Sequence, residues 1–226
     1  MRVRVATTAL GITAALLALP ACSAETTTPT TGAAPSAAGT DKETAALSSA
    51  ALGRRLLDER DLGSGYLRTP ERAAHDDVTV VGCPALSKLG GDAATGNSPA
   101  FAHKAKVAFT YAGGSNSEVS EELYSDHANT LSDGIGRVFD AMTGCPAYQV
   151  VAGNTPIDIA TQKLPAPHGV GDEQWSQLLT FSTAGRSTVV KQTAIRKGSL
   201  LLIVSGSPAL VDRHLGKAFA KATAAK

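Results

Sequence analysis

The run LLLIVSGSPALVDRHLGKAFAKA, residues 200–222, contains two structural periods in succession. Leu200 to Val204 is continuously apolar, which suits a strand covered on both faces at the centre of a sheet. Ser207-Pro208 then opens a helix, with proline at a first-turn position where its missing N–H costs nothing. Leu210, Val211, His214, Leu215, Ala218, Phe219 and Ala222 recur along one helical face. A central strand feeding an amphipathic helix predicts a sheet with that helix laid across it. His214 sits on the apolar stripe and reads as a hydrogen-bonded core residue.

Upstream, Trp175, Leu179 and Phe181 begin a strand meander, with turns at Ala184-Gly185 and Lys197-Gly198. Earlier strands are predicted over Val78 to Val81, over Ala105 to Tyr111, at Tyr148 and Val150, and at Ile157 and Ile159. Val119 to Tyr124 reads as a strand paired with the one before it. Leu131, Ile135, Val138 and Met142 fall on one helical stripe, which Gly144 and Pro146 end beside Cys145. Thr40-Asp41-Lys42-Glu43 fits a capping box, and Ala46, Leu47, Ala50 and Leu57 follow at roughly helical spacing until the glycines of Asp61-Leu62-Gly63-Ser64-Gly65-Tyr66. The expected fold class is α+β, a mainly antiparallel sheet packed against helices.

The start of the chain carries an address. Arg2 and Arg4 precede an apolar run from Val5 to Leu19, and Leu19-Pro20-Ala21-Cys22 ends it with small residues and a cysteine. This is the layout of a lipoprotein signal peptide, residues 1–21, with Cys22 as the lipid attachment site. More than one acyl chain, such as palmitate, is needed for a stable anchor. Cleavage after Ala24, which would give a secreted protein, is the alternative. Residues 22–42 are rich in Thr, Ala, Pro and Ser and read as a disordered tether. Residues 43–226 form the folded domain. The expected location is the extracytoplasmic face of the cell membrane.

Three cysteines are present in 226 residues. With Cys22 taken by lipid, Cys83 and Cys145 in an exported chain most simply form one disulfide. A metal or redox pair lacks the close CxxC spacing. Aromatic residues amount to 4%, sparse for stacking on bases or sugars. The formal charge is +1, and loss of Arg2 and Arg4 with the leader reverses it to −1. No basic patch stands out, so nucleic acid is not an expected partner.

Leu56-Leu57, Asp61-Leu62-Gly63-Ser64-Gly65-Tyr66, Gly82-Cys83-Pro84, a helix ending at Cys145, and Gly169-Val170-Gly171-Asp172-Glu173 before a meander occur in this order. The pattern resembles the extracellular sensor domain of actinobacterial PknH-type membrane serine/threonine kinases, and lipoproteins built on that domain, over roughly residues 50 to 222. The resemblance implies a ligand-sensing module with an open cleft. Two departures stand out. The kinase version carries a second disulfide, for which no cysteines remain, and no kinase or membrane-spanning segment accompanies this domain.

Catalytic signatures are mostly absent. Gly63-Ser64-Gly65 and Gly113-Gly114-Ser115 are turn compositions rather than a nucleophile elbow, and the five histidines are scattered. His75 with Asp76 and Asp77 is a weak metal-binding candidate on a polar loop. Gly134 and Gly136 lie inside a helical stripe and make no dinucleotide loop. Glu118, Glu121 and Glu122 read as a solvated face. The cleft candidates are His168 and Asp172 on the glycine-rich turn, Trp175 after it, and Tyr66 after Gly65. Trp175 reads first as a core residue. The expected function is a non-enzymatic, cofactor-free module that binds or senses a small molecule or envelope component. The alternative is a scaffold lipoprotein contacting a membrane protein.

Overall fold

The computed structural model describes residues 45–70, 78–90, 93, 101–113 and 117–224. Its helices are α1 (Ser49–Gly53), α2 (Glu59–Leu62), α3 (Pro84–Leu89), α4 (Ala128–Gly144) and α5 (Pro208–Thr223). Its strands are β1 (Tyr66–Thr69), β2 (Val78–Val81), β3 (His103–Tyr111), β4 (Ser117–Ser125), β5 (Ala147–Ala152), β6 (Thr155–Lys163), β7 (Glu173–Thr183), β8 (Arg186–Lys197) and β9 (Leu200–Gly206). They form one sheet in the order β1-β3-β4-β9-β8-β7-β6-β5-β2, with every neighbouring pair antiparallel.

The apolar run at 200 occupies the middle of that order, and its alternation explains why it has no polar face. Leu200, Leu202 and Val204 turn to the side covered by α1, α2 and α5, while Leu201 and Ile203 turn to α4. Each such buried side chain contributes about 1.5–3 kcal/mol. The β7–β8 hairpin turns through Ala184 and Gly185, both with positive φ, a two-residue geometry that matches the twist of the strands. The long helix α4 buries Leu131, Ile135, Val138 and Met142, the stripe expected from spacing. A disulfide joins Cys83, ahead of α3, to Cys145, at the end of α4.

The expected first helix is corrected. Ala46 and Leu47 precede α1, which starts only after Ser48, whose side chain accepts from the Ala51 amide. The helix stops at Gly53, and Leu57 lies beyond it. Asp58 then starts α2 with a complete capping box: its carboxylate takes the Asp61 amide, and the Asp61 carboxylate takes the Asp58 amide. A fresh cap at Asp58 breaks the helical period, and the break turns Leu56 and Leu57 into the core. The Thr40 capping box, Cys22 and the tether lie outside the described residues. At α5, proline occupies the first turn as expected, while Ser207 caps through its backbone carbonyl rather than its hydroxyl.

Candidate functional site

Among the described residues, helices cover two roughly diagonal parts of the sheet. On one face α1, α2 and α5 pack over β1, β3, β4, β9 and part of β8; on the other, α3 and α4 pack over β2 and β5 to β9. Among the described residues, no helix covers the two remaining quarters. The larger concavity, about 550 Å³, lies over β2, β5, β6 and β7 and is lined by Val81, Gly82, Ala147, Gln149, Asp158, Ala160, Thr180 and Ser182 among others. Cross-strand register builds its floor. Ala147, Ala160 and Thr180 align in one row, and Val81, Gln149, Asp158 and Ser182 in the next. The side chains are small or polar, so a ligand can approach the sheet closely. Asp158 is the floor's carboxylate and accepts from the Gln149 amide at 2.9 Å. The smaller concavity, about 290 Å³, lies on the opposite face, lined by Arg68, Thr69, Pro70, Lys106, Val107, Ala108, Glu118 and Ser120. Neither concavity is lined by histidine or cysteine.

The four cleft candidates do not converge. Tyr66 is buried beneath α5, its hydroxyl 2.7 Å from His214 Nε2 and its ring against Tyr111. His214 is indeed a hydrogen-bonded core residue, and burial together with Arg213 and Lys217 lowers its pKa. Trp175 lies on the other face of the sheet, half-buried against Phe139 of α4. Asp172 is exposed and braces a corner: its carboxylate accepts from the Gly198 amide at 2.7 Å and pairs with Arg196 at 3.1 Å. Glu173 completes that network, accepting from Arg196 Nε and the Ser132 hydroxyl. Burial alone would raise the Glu173 pKa, but these hydrogen bonds outweigh it and hold the carboxyl low. Gly171 has φ +73°, and a Cβ there would lie 2.5 Å from Ile195 Cγ2 and 2.6 Å from the Arg196 carbonyl oxygen. The glycine-rich turn is therefore a packing corner, and His168 beside it is exposed.

The glutamate reading is corrected for β4. Val119, Glu121 and Leu123 share one face of the strand, so the sheet's period carries Glu121 into the leucine cluster, where it is 1% exposed. Its Oε2 accepts from the Leu57 amide at 2.6 Å, and its Oε1 has no hydrogen-bond partner among the described residues. Burial pushes its pKa up to about 7, against the Leu57 hydrogen bond and the charge of Lys221, with Asp61 adding to the rise. Glu122, on the opposite face, is also buried; it accepts from the Tyr124 hydroxyl and pairs with Lys106 at 2.6 Å. Spacing could have flagged both, since strand alternation places them beside Val119 and Tyr124.

Among the described residues, no group of three or more His, Cys, Asp and Glu is placed to hold a metal ion, and no helix is long and apolar enough to cross a membrane. His75, Asp76 and Asp77 lie outside the described residues.

With the sheet in view, known structures can be compared. The extracellular domain of PknH from Mycobacterium tuberculosis superposes with a TM-score of 0.56 at 12% identity, covering 79% of this chain and 95% of that domain. The two share a fold. An uncharacterised protein of Mycobacterium smegmatis matches at a TM-score of 0.44 and 12% identity, over 74% of this chain and 97% of that one. No family model and no curated protein matches the chain.

Proposed function

We propose that the domain is an extracytoplasmic ligand-binding or sensor-like module without catalytic activity, tethered to the membrane by lipid on Cys22. The observation that carries this reading is the uncovered concavity of about 550 Å³ over β2, β5, β6 and β7, a volume within the range of small-molecule sites. Its hydroxyl, amide and carboxylate groups favour a polar, hydroxyl-bearing ligand of the cell envelope. The disulfide supports an oxidising compartment, and the fold likeness to an extracellular domain is consistent with the same address.

The test is amide chemical-shift mapping of the intact labelled chain titrated with a polar envelope extract. Shifts should cluster at Ala147, Asp158, Ala160 and Thr180, and Ala160→Trp should abolish them while leaving the disulfide and the melting transition in place. An extract that moves no resonance on that floor would remove the reading. A second reading, a scaffold that contacts a membrane protein, has its own observation. The two edge strands carry exposed apolar residues, Leu67 on β1 at 63% and Val81 on β2 at 50%. Crosslinking from those two positions in native membranes, with a stoichiometric protein product and no ligand shifts, would favour it.

A further inference from the structure

Glu121 is used by no binding surface above, and its surroundings are unusual for a carboxylate. Its cross-strand partners are Val107 and Val204, and Leu52, Leu56, Leu57 and Leu62 of the N-terminal segment complete the cluster it is buried in. One carboxyl oxygen receives the Leu57 amide, which lies in the connection between α1 and α2; the other is buried with no hydrogen-bond partner among the described residues. An ionised carboxylate with a single donor is poorly compensated there, whereas a protonated one carries no charge to desolvate.

Charged and titratable groups surround this cap. From α2 come Asp58 and Asp61, from the α1–α2 connection Arg55, from α5 His214, Lys217 and Lys221, and from β1 and β3 Tyr66 and Tyr111. The charge of Lys221 lowers the Glu121 pKa, but that cation is already held by Asp58 and Asp61. Arg55 donates to the Ala222 carbonyl at 2.7 Å and Lys217 to the Asp61 carbonyl at 2.6 Å. Hydrogen bonds from Leu47 N–H to Ser125 Oγ and from Lys104 N–H to Ser49 Oγ also tie the cap to β4 and β3. Beyond the backbone that leads through Gly63–Gly65 into β1, no disulfide among the described residues fastens residues 47–62 to the sheet.

We propose that Glu121 is a proton-operated latch for this cap, residues 47–62, which closes on β4 while the carboxyl is protonated and loosens when it ionises. Opening frees the Leu57 amide, admits water to the carboxylate and leaves the rest of the sheet intact. The sign follows from the raised pKa, about 7 when closed against an ordinary 4.5. Between those values the open form sheds its proton first, so closure weakens as pH rises and the loss is complete above about 7. His214 acts oppositely, because its lowered pKa makes closure weaken as pH falls below 6.5. The latch is independent of the ligand floor on the far half of the sheet.

Native-state hydrogen exchange on the intact chain tests it. After correction for intrinsic exchange, the opening equilibrium reported by the Leu57 amide should rise on the order of a hundredfold from pH 4.5 to pH 8. Amides in the middle of β7 and β8 should change far less. Glu121→Gln, which keeps the shape and removes the charge, should flatten that rise and leave only the opposite trend from His214. A Leu57 opening that is independent of pH, or that merely tracks β7 and β8, overturns the latch; so does a rise that survives in Glu121→Gln. Should that variant fail to fold, the carboxyl carbon of Glu121 in the native chain gives the answer by NMR titration. A midpoint above pH 6 supports the proposal, and one near 4.5 overturns it.

Discussion

On one face of the sheet, Leu52, Leu56, Leu57 and Leu62 and the pairs of Lys217 and Lys221 with Asp58 and Asp61 fasten the N-terminal segment to α5. On the other, α3 and α4 are joined by the Cys83–Cys145 disulfide over a core of Leu86, Met142, Tyr148 and Ile159. Both quarters bury apolar clusters of similar kind, yet one is secured covalently and the other by contacts that answer to protons. Reduction would act on the covalent quarter, and on the proposal above a change of pH would act on the ionic one. The strand β9, apolar on both faces, is their common wall.

Breaking the covalent side should have the largest effect. Cys83→Ser with Cys145→Ser opens a loop with a sequence separation of 62, and the chain-entropy model gives a loss of about 4 kcal/mol. Calorimetry should record a fall in Tm of roughly 8–16 °C for a domain of this size. Exchange should loosen α3 and α4 before α1 and α2; equal loosening of both would mean that the quarters are not separately secured. Leu52→Ala attacks the other side, removing a fully buried side chain at a cost of about 3 kcal/mol in urea unfolding. Its damage should fall on α1, α2 and α5.

Lys221→Ala should have the smallest effect, about 0.5–1 kcal/mol at neutral pH, because its partners are partly solvated. Its pH dependence has a definite sign. The Asp58 carboxyl is held low first by the Asp61 amide and then by Lys221. In Asp61, burial would raise the pKa, but Lys221 and the Asp58 amide outweigh it. A depressed carboxylate stabilises the fold above its ordinary value of 3.8 and loses that contribution as pH falls through the lowered one. The difference between Lys221→Ala and the native chain should therefore vanish in strong acid, as denaturant midpoints would reveal.

Periodicity made most of the sheet and both long helices readable. The stripes of α4 and α5 repeat for several turns, the meander has glycine at its turns, and β9 is too apolar to lie anywhere but inside. The N-terminal segment misled because Leu47 and Leu57 keep a helical spacing that the caps at Ser48 and Asp58 interrupt. Strand order was illegible for another reason: β4 pairs with β9 across some eighty residues, and no local pattern encodes that choice. The scatter of Tyr66, Asp172 and Trp175 shares this cause, since the face a residue occupies depends on register. Glu121 was hidden by its own chemistry. Its polarity suggested solvent, while its place between Val119 and Leu123 pointed inward.

β1 is only four residues long and pairs with Ala108 to Tyr111, so among the described residues no strand neighbours the flank of β3 from His103 to Val107. Such a flank invites a second chain to add on. Here the Lys104 amide is already taken by the Ser49 hydroxyl, and Lys104 and Lys106 set positive charge along the same stretch. The little helix that carries Ser49 thus plugs a gap that would otherwise template polymerisation. Wherever the chain is concentrated, a plug of this kind keeps neighbouring copies from stitching themselves into fibres.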